Sequence, residues 1–152
     1  MKTVDISQYL KEQLILLDVD ALDKNIAIAK IVENMAKHNV LTDPSAFLKE
    51  VLKRESLGST AIGKGVALPH ARTQNVDEIV ISVTRLANSV VFSSQDDENV
   101  DVIVLIGTPV KAIGEYLKVL AQLSKLLRND NVLHAIKSAK KPADITNLFK
   151  SA

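Results

Sequence analysis

The chain has 152 residues, 47% hydrophobic and 24% charged, enough for one compact domain with a substantial core. A net charge of +1 and scattered lysines and arginines exclude the basic stripe of a nucleic-acid binder, and five aromatic residues leave few platforms for stacking bases. With no cysteine, disulfides, thiolate zinc sites and cysteine catalysis are excluded together, which suits a reducing compartment.

An acid, Asp5, stands where a secretory signal needs an apolar run, and the stretches Val100 to Ile106 and Val119 to Leu127 are too short to cross a bilayer, so the expectation is a cytoplasmic protein. Leu14 to Val19 predicts a short buried strand. Asp20 as N-cap, with Asp23 in the first turn, predicts a helix from Ala21 to Lys37 that buries Leu22, Ile26, Ala29, Val32 and Met35. Asp43 caps and Pro44 starts a second helix with Phe47, Leu48, Val51 and Leu52 on its apolar face, ending near Gly58. Val66 to Leu68 reads as a short strand and Ile79 to Leu86 as a longer one. Asn88-Ser89 reads as a turn, Val90 to Phe92 as extended, and Ser93 to Asn99 as a polar loop. The β-branched run Val100 to Ile106 predicts a central strand buried on both faces. Ile113, Leu117, Leu120, Leu123 and Leu127 predict a helix of four to five turns, followed by shorter ones over Val132 to Ala139 and Pro142 to Phe149. No internal repeat appears. The fold class is therefore α/β, a single domain over 1–152 with a mixed β-sheet between helical layers.

Chemistry concentrates between Gly58 and Arg72, where glycines, hydroxyls and a lysine lead through Val66-Ala67-Leu68-Pro69 into His70. Gly58 to Lys64 matches GxxxxGK, but Gly65 stands where a phosphate-binding P-loop needs serine or threonine, and Pro69 opposes the helix that must follow. Gly63 to Leu68 begins like a dinucleotide fingerprint and lacks its strand. No GxSxG elbow supports a serine hydrolase, and His38, His70 and His134 have no partner at metal-ligand spacing, so neither metal nor cofactor is expected. His38 reads as a helix C-terminal cap and His134 as a surface residue. For His70 two readings stay open from the residues alone, a nucleophile or a buried histidine bonded to backbone at a strand end. Arg54 is read either as an anion-binding fork or as the partner of Glu50 one helical turn back.

The run Arg54-Glu55-Ser56-Leu57-Gly58-Ser59-Thr60, continuing through Gly63-Lys64-Gly65 to Leu68-Pro69-His70-Ala71-Arg72, resembles the active-site region of EIIA domains of the bacterial phosphoenolpyruvate-dependent phosphotransferase system. The likeness is to the fructose, mannitol and nitrogen-regulatory types. It extends loosely through Phe92, Val100-Asp101 and the helix from Leu117 to Leu127. The resemblance implies a phosphotransferase component with a phosphohistidine intermediate: His70 accepts a phosphoryl group from phospho-HPr and passes it to EIIB in fructose- or mannitol-type uptake. It further implies that Arg54 stabilises the phosphoryl group, that Thr60 and loop amides donate hydrogen bonds, and that any membrane contact is indirect, through a permease complex. Arg72 and Lys64 read as rim charges. Many members carry a second histidine before the leucine of the later helix; here Tyr116 precedes Leu117. The alternative implied is a nitrogen-type regulatory protein whose phosphorylation state controls a partner protein. A non-phosphorylated structural domain fits less well with Arg54, Thr60 and His70 retained together.

Overall fold

The computed structural model describes residues 5–93 and 98–150. A 3-10 turn, Ile6–Tyr9, leads into β1 (Leu10–Val19), followed by α1 (Lys24–Lys37) and α2 (Pro44–Ser56). Three short strands come next, β2 (Ala61–Gly63), β3 (Val66–Ala67) and β4 (His70–Thr73). Two long ones, β5 (Val80–Ser93) and β6 (Glu98–Pro109), precede α3 (Ile113–Leu126), α4 (Asp130–Ser138) and α5 (Pro142–Lys150).

β5 and β6 pair antiparallel and form the centre of a mixed sheet ordered β1-β5-β6-β3-β2, with β1 parallel to β5 and β3 parallel to β6. β4 also lies parallel to β6, in the same offset as β3: Ala67 faces Ile103 and His70 faces Ile106. The two are one edge line interrupted at Leu68-Pro69, where proline lacks an N–H; its carbonyl still accepts from Ile106 at 3.0 Å.

Side chains alternate across the pleat, so Val102, Val104 and Ile106 of β6 join a core with α3, α4 and α5, while Ile103 and Leu105 join a second core with α1 and α2. This is the α/β sandwich that the alternation of strand and helix signals predicts. Gly107 matters to it because a Cβ there would come within 3.2 Å of the buried Phe47 ring and of Val76. Its absence lets α2 settle against the sheet beside Ala71, the neighbour of His70 in β4.

Several expectations are corrected. The first helix begins at Lys24 with Asp23, not Asp20, as N-cap, its side chain accepting from the Ile26 N–H at 2.9 Å. The buried stripe is Ile28, Ile31, Val32 and Met35, so Leu22, ahead of the cap, is 93% exposed. Asp43 and Pro44 start α2 as expected, with His38 capping the end of α1 and His134 exposed on α4. On α3 the inward stripe is Tyr116, Val119 and Leu123, and Ile113 and Leu117 face outward. Asn88-Ser89 makes no turn; β5 runs through it and absorbs a register shift between Arg85 and Val90, because β6 keeps pairing beyond it. The expected polar loop is strand at Ser93, Glu98 and Asn99, and its residues 94–97 lie outside the described residues. Among the described residues no helix is long and apolar enough to cross a membrane.

Candidate active site

The glycine-rich loop is a β-hairpin. β2 and β3 pair antiparallel, with Gly63 opposite Val66, and the two residues between, Lys64 and Gly65, have φ of 58° and 80°. Positive φ at both central positions is the backbone twist that two-residue hairpins favour, and it is why glycine stands at 65. A Cβ at Gly65 would also lie 2.7 Å from Asp101 Oδ1. The Lys64 ammonium is drawn to Asp130 on α4, 2.5 Å from Oδ1, and this lowers the exposed Asp130 carboxyl below the usual range through hydrogen bond and charge. Lys64 is thus occupied at α4, while Arg72, the other expected rim charge, lines a depression with His70.

His70 begins β4, half-buried, and its Nδ1 lies 2.9 Å from the Leu68 carbonyl oxygen. A carbonyl only accepts, so Nδ1 carries the proton and the lone pair is on Nε2. Of the two readings of His70 left open by the sequence, the bond to backbone at a strand start is present, and it leaves Nε2 without a proton. The ring packs against Tyr116 of α3, centroids 5.9 Å apart and planes tilted by 47°. Tyr116 is 5% exposed; burial raises its hydroxyl above the ordinary tyrosine range, and the nearby positive charges of Arg54 and Arg72 offset this in part. It stays a neutral O–H donor at physiological pH.

His70 and Arg54 together form the wall shared by two depressions. One, of about 420 Å³, is lined also by Glu50, Lys53, Leu57, Arg72 and Tyr116. The other, of about 270 Å³, is lined by Ser59, Thr60, Ile62, Leu120 and Ser124. Arg54 stands in the last turn of α2, its Nη1 donating to the Gly58 carbonyl at 2.9 Å. No carboxylate pairs with it among the described residues. The expected alternative partner, Glu50, instead accepts from Thr73 Oγ1 and Asn75 Nδ2, each at 2.7 Å. A guanidinium has five N–H donors in a planar fork, so most of this one remains available to an anion beside His70.

Thr60, expected to donate to a phosphoryl group, has both of its donors on Glu55. The Glu55 carboxylate is 3% exposed and accepts the Thr60 hydroxyl at 2.5 Å and the Thr60 N–H at 3.0 Å. Lys24 Nζ lies 3.6 Å from Glu55 Oε2 and donates to the Phe92 carbonyl at 2.9 Å. Glu55 belongs to the run that carries the resemblance but had no role assigned to it, although a signal was present: it follows Phe47 and Val51 at four-residue spacing, on the buried face of α2. No group of three or more His, Cys, Asp or Glu that could hold a metal occurs among the described residues.

A family model described as phosphoenolpyruvate-dependent sugar phosphotransferase system, EIIA 2, matches residues 8–152. A nitrogen regulatory protein of Bradyrhizobium diazoefficiens is 33% identical over 122 residues, 79% of this chain and 80% of that protein. The fructose-specific EIIABC component of Bacillus subtilis is 29% identical over 144 residues, 95% of this chain. The chain spans 23% of that relative's length. Among solved structures, nitrogen regulatory protein IIA-Ntr of Neisseria meningitidis has the same fold, with a TM-score of 0.87 at 24% identity, covering 95% of this chain and 98% of that one.

Proposed function

The chain belongs to the EIIA 2 family of the phosphoenolpyruvate-dependent sugar phosphotransferase system, and from that premise we propose that His70 is its phosphoryl carrier, loaded by phospho-HPr and unloaded onto an EIIB component of fructose- or mannitol-type uptake. The observation that carries this reading is the Nδ1–H to Leu68 carbonyl bond, which leaves the Nε2 lone pair free beside an Arg54 fork without a carboxylate partner. Nε2 attacks the phosphorus of the donor phosphohistidine; the new N–P bond forms as the donor N–P bond breaks, and that bond's electron pair returns to the donor imidazole. The His70 ring becomes cationic with its proton still on Nδ1, so the bond to Leu68 strengthens as charge develops. Such transfer needs little covalent machinery, and positioning with charge stabilisation supplies most of the rate. Arg54 meets the phosphoryl oxygens, the Tyr116 hydroxyl donates to them, and Thr60 fixes the loop that lines the depression beside His70. Arg72 adds positive potential at the rim, favouring an anionic reactant.

A second reading, that the phosphorylation state of His70 controls binding to a partner protein, is favoured by Tyr116. A tyrosine held above its ordinary range supplies no titrating imidazole beside the phosphoryl group. Incubation with enzyme I, HPr and phosphoenolpyruvate should add one phosphoryl group to the wild type and none to His70→Ala; an unlabelled wild type would overturn both readings. Passage of that label to a fructose- or mannitol-type EIIB separates them, since the regulatory reading predicts that the group stays on His70.

A further inference from the structure

The hydrogen bond that fixes the His70 tautomer is the last link of a chain that starts at a buried carboxylate. Glu55 Oε2 accepts the Thr60 N–H at 3.0 Å and Oε1 accepts its hydroxyl at 2.5 Å. The Thr60 carbonyl accepts the Leu68 N–H at 3.0 Å, and the Leu68 carbonyl accepts His70 Nδ1–H at 2.9 Å. Thr60 is therefore held on both its donors by one side chain, and Leu68 is held by Thr60.

We propose that Glu55 is a positioning residue for phosphoryl transfer, acting through Thr60 and Leu68 to keep the proton on His70 Nδ1 and the lone pair on Nε2. Glu55 touches neither the reacting nitrogen nor its reactant. Leu68 and Pro69 interrupt the edge line between β3 and β4, and among the described residues the Leu68 carbonyl has no strand partner, so its direction is set by two flanking bonds, the Ile106 N–H to the Pro69 carbonyl on one side and the Leu68 N–H to Thr60 on the other. A buried carboxylate without partners is strongly unfavourable, and here Thr60 and Lys24 are those partners, so the position is over-determined from both ends. An apolar residue at 55 would satisfy the helix face set by Phe47 and Val51 equally well, and it would leave the loop unheld.

The role rests on the reading of His70 as phosphoryl acceptor, and the test separates the two. Imidazole nitrogen NMR on the unphosphorylated protein reports the His70 tautomer directly. Wild type should show Nδ1–H alone, whereas Glu55→Ala and the isosteric Thr60→Val should show a mixture, with core methyl signals of β5 and β6 unmoved. Thr60→Ser, which keeps the hydroxyl, should restore the wild-type pattern. With phospho-HPr as donor, Glu55→Ala should lower kcat by about tenfold or more while KM changes little, the mark of lost orientation rather than lost binding. A wild type that takes no phosphoryl group, combined with a tautomer that follows residue 55, would remove the carrier reading and leave the positioning role standing. Folded Glu55→Ala and Thr60→Val proteins with the wild-type tautomer and kcat would overturn the positioning role.

Discussion

Arg54, in the last turn of α2, and Arg85, on β5 against the end of α4, are both partly buried arginines, and they are used in opposite ways. Arg85 is saturated: Nε and Nη2 meet the two oxygens of Asp18 at 3.1 Å each, and Nη1 donates to the carbonyls of Ile136, Lys137 and Ala139 at the end of α4. It ties β5 to the helical layer and satisfies carbonyls that a helix terminus leaves without partners. Among the described residues Arg54 makes one hydrogen bond, to Gly58, and it lines the same two depressions as His70. The same side chain is structural where its donors are spent and chemical where they are kept free, and burial alone does not tell the two apart.

Substitution should separate them. Arg54→Ala is expected to lower the rate of His70 phosphorylation on the order of 10²–10³-fold, as loss of a transition-state charge partner does, while thermal unfolding shifts by no more than about 1 kcal/mol. Arg54→Lys should recover only part of that rate, because an ammonium cannot fork two oxygens. Arg85→Ala should do the reverse, costing about 1–3 kcal/mol in denaturant unfolding by leaving the partly buried Ile136 and Ala139 carbonyls unpaired, while water takes up the exposed Asp18, with phosphorylation of the folded fraction unchanged. Equal loss of rate in both would break the distinction.

Tyr116 gives a smaller test. Its folded-state value is raised, so the stability owed to its neutral form is complete below the ordinary tyrosine range and is lost as pH rises through that raised value. Alkaline unfolding followed by circular dichroism should therefore be less steep in Tyr116→Phe. Tyr116→His should give phosphohistidine lifetime a step near pH 6.5, about where imidazole titrates, and the wild type should show none from that position. Lys64→Ala should have the smallest effect: its ammonium is spent on exposed Asp130, so phosphorylation kinetics at physiological salt should match the wild type.

What the sequence made legible was local chemistry. Asp43-Pro44 starts a helix because cap and fixed φ act within a few residues, and the hairpin glycines and His70 stand out by residue type alone. Pairing partners were not legible. Asn88-Ser89 carries a turn signal that β6 overrides by continuing its ladder, and β4 is too short to announce itself without the edge of β6 beside it. Resemblance supplied His70, Arg54 and Thr60 as a set, but only side-chain geometry directs Thr60 to Glu55 and frees Arg54 from Glu50. A carboxylate on the Phe47-Val51 face, inside the run that carries the resemblance, was a readable sign of the buried network.

If Leu68 holds the proton on Nδ1, His70 carries the phosphoryl group on Nε2, and nitrogen-15 NMR of the imidazole after loading by phospho-HPr reads this. A single phosphohistidine is expected, at His70, bonded through Nε2, with the Nδ1 proton retained; a phosphoryl group on Nδ1, or on a residue other than His70, would overturn the assignment.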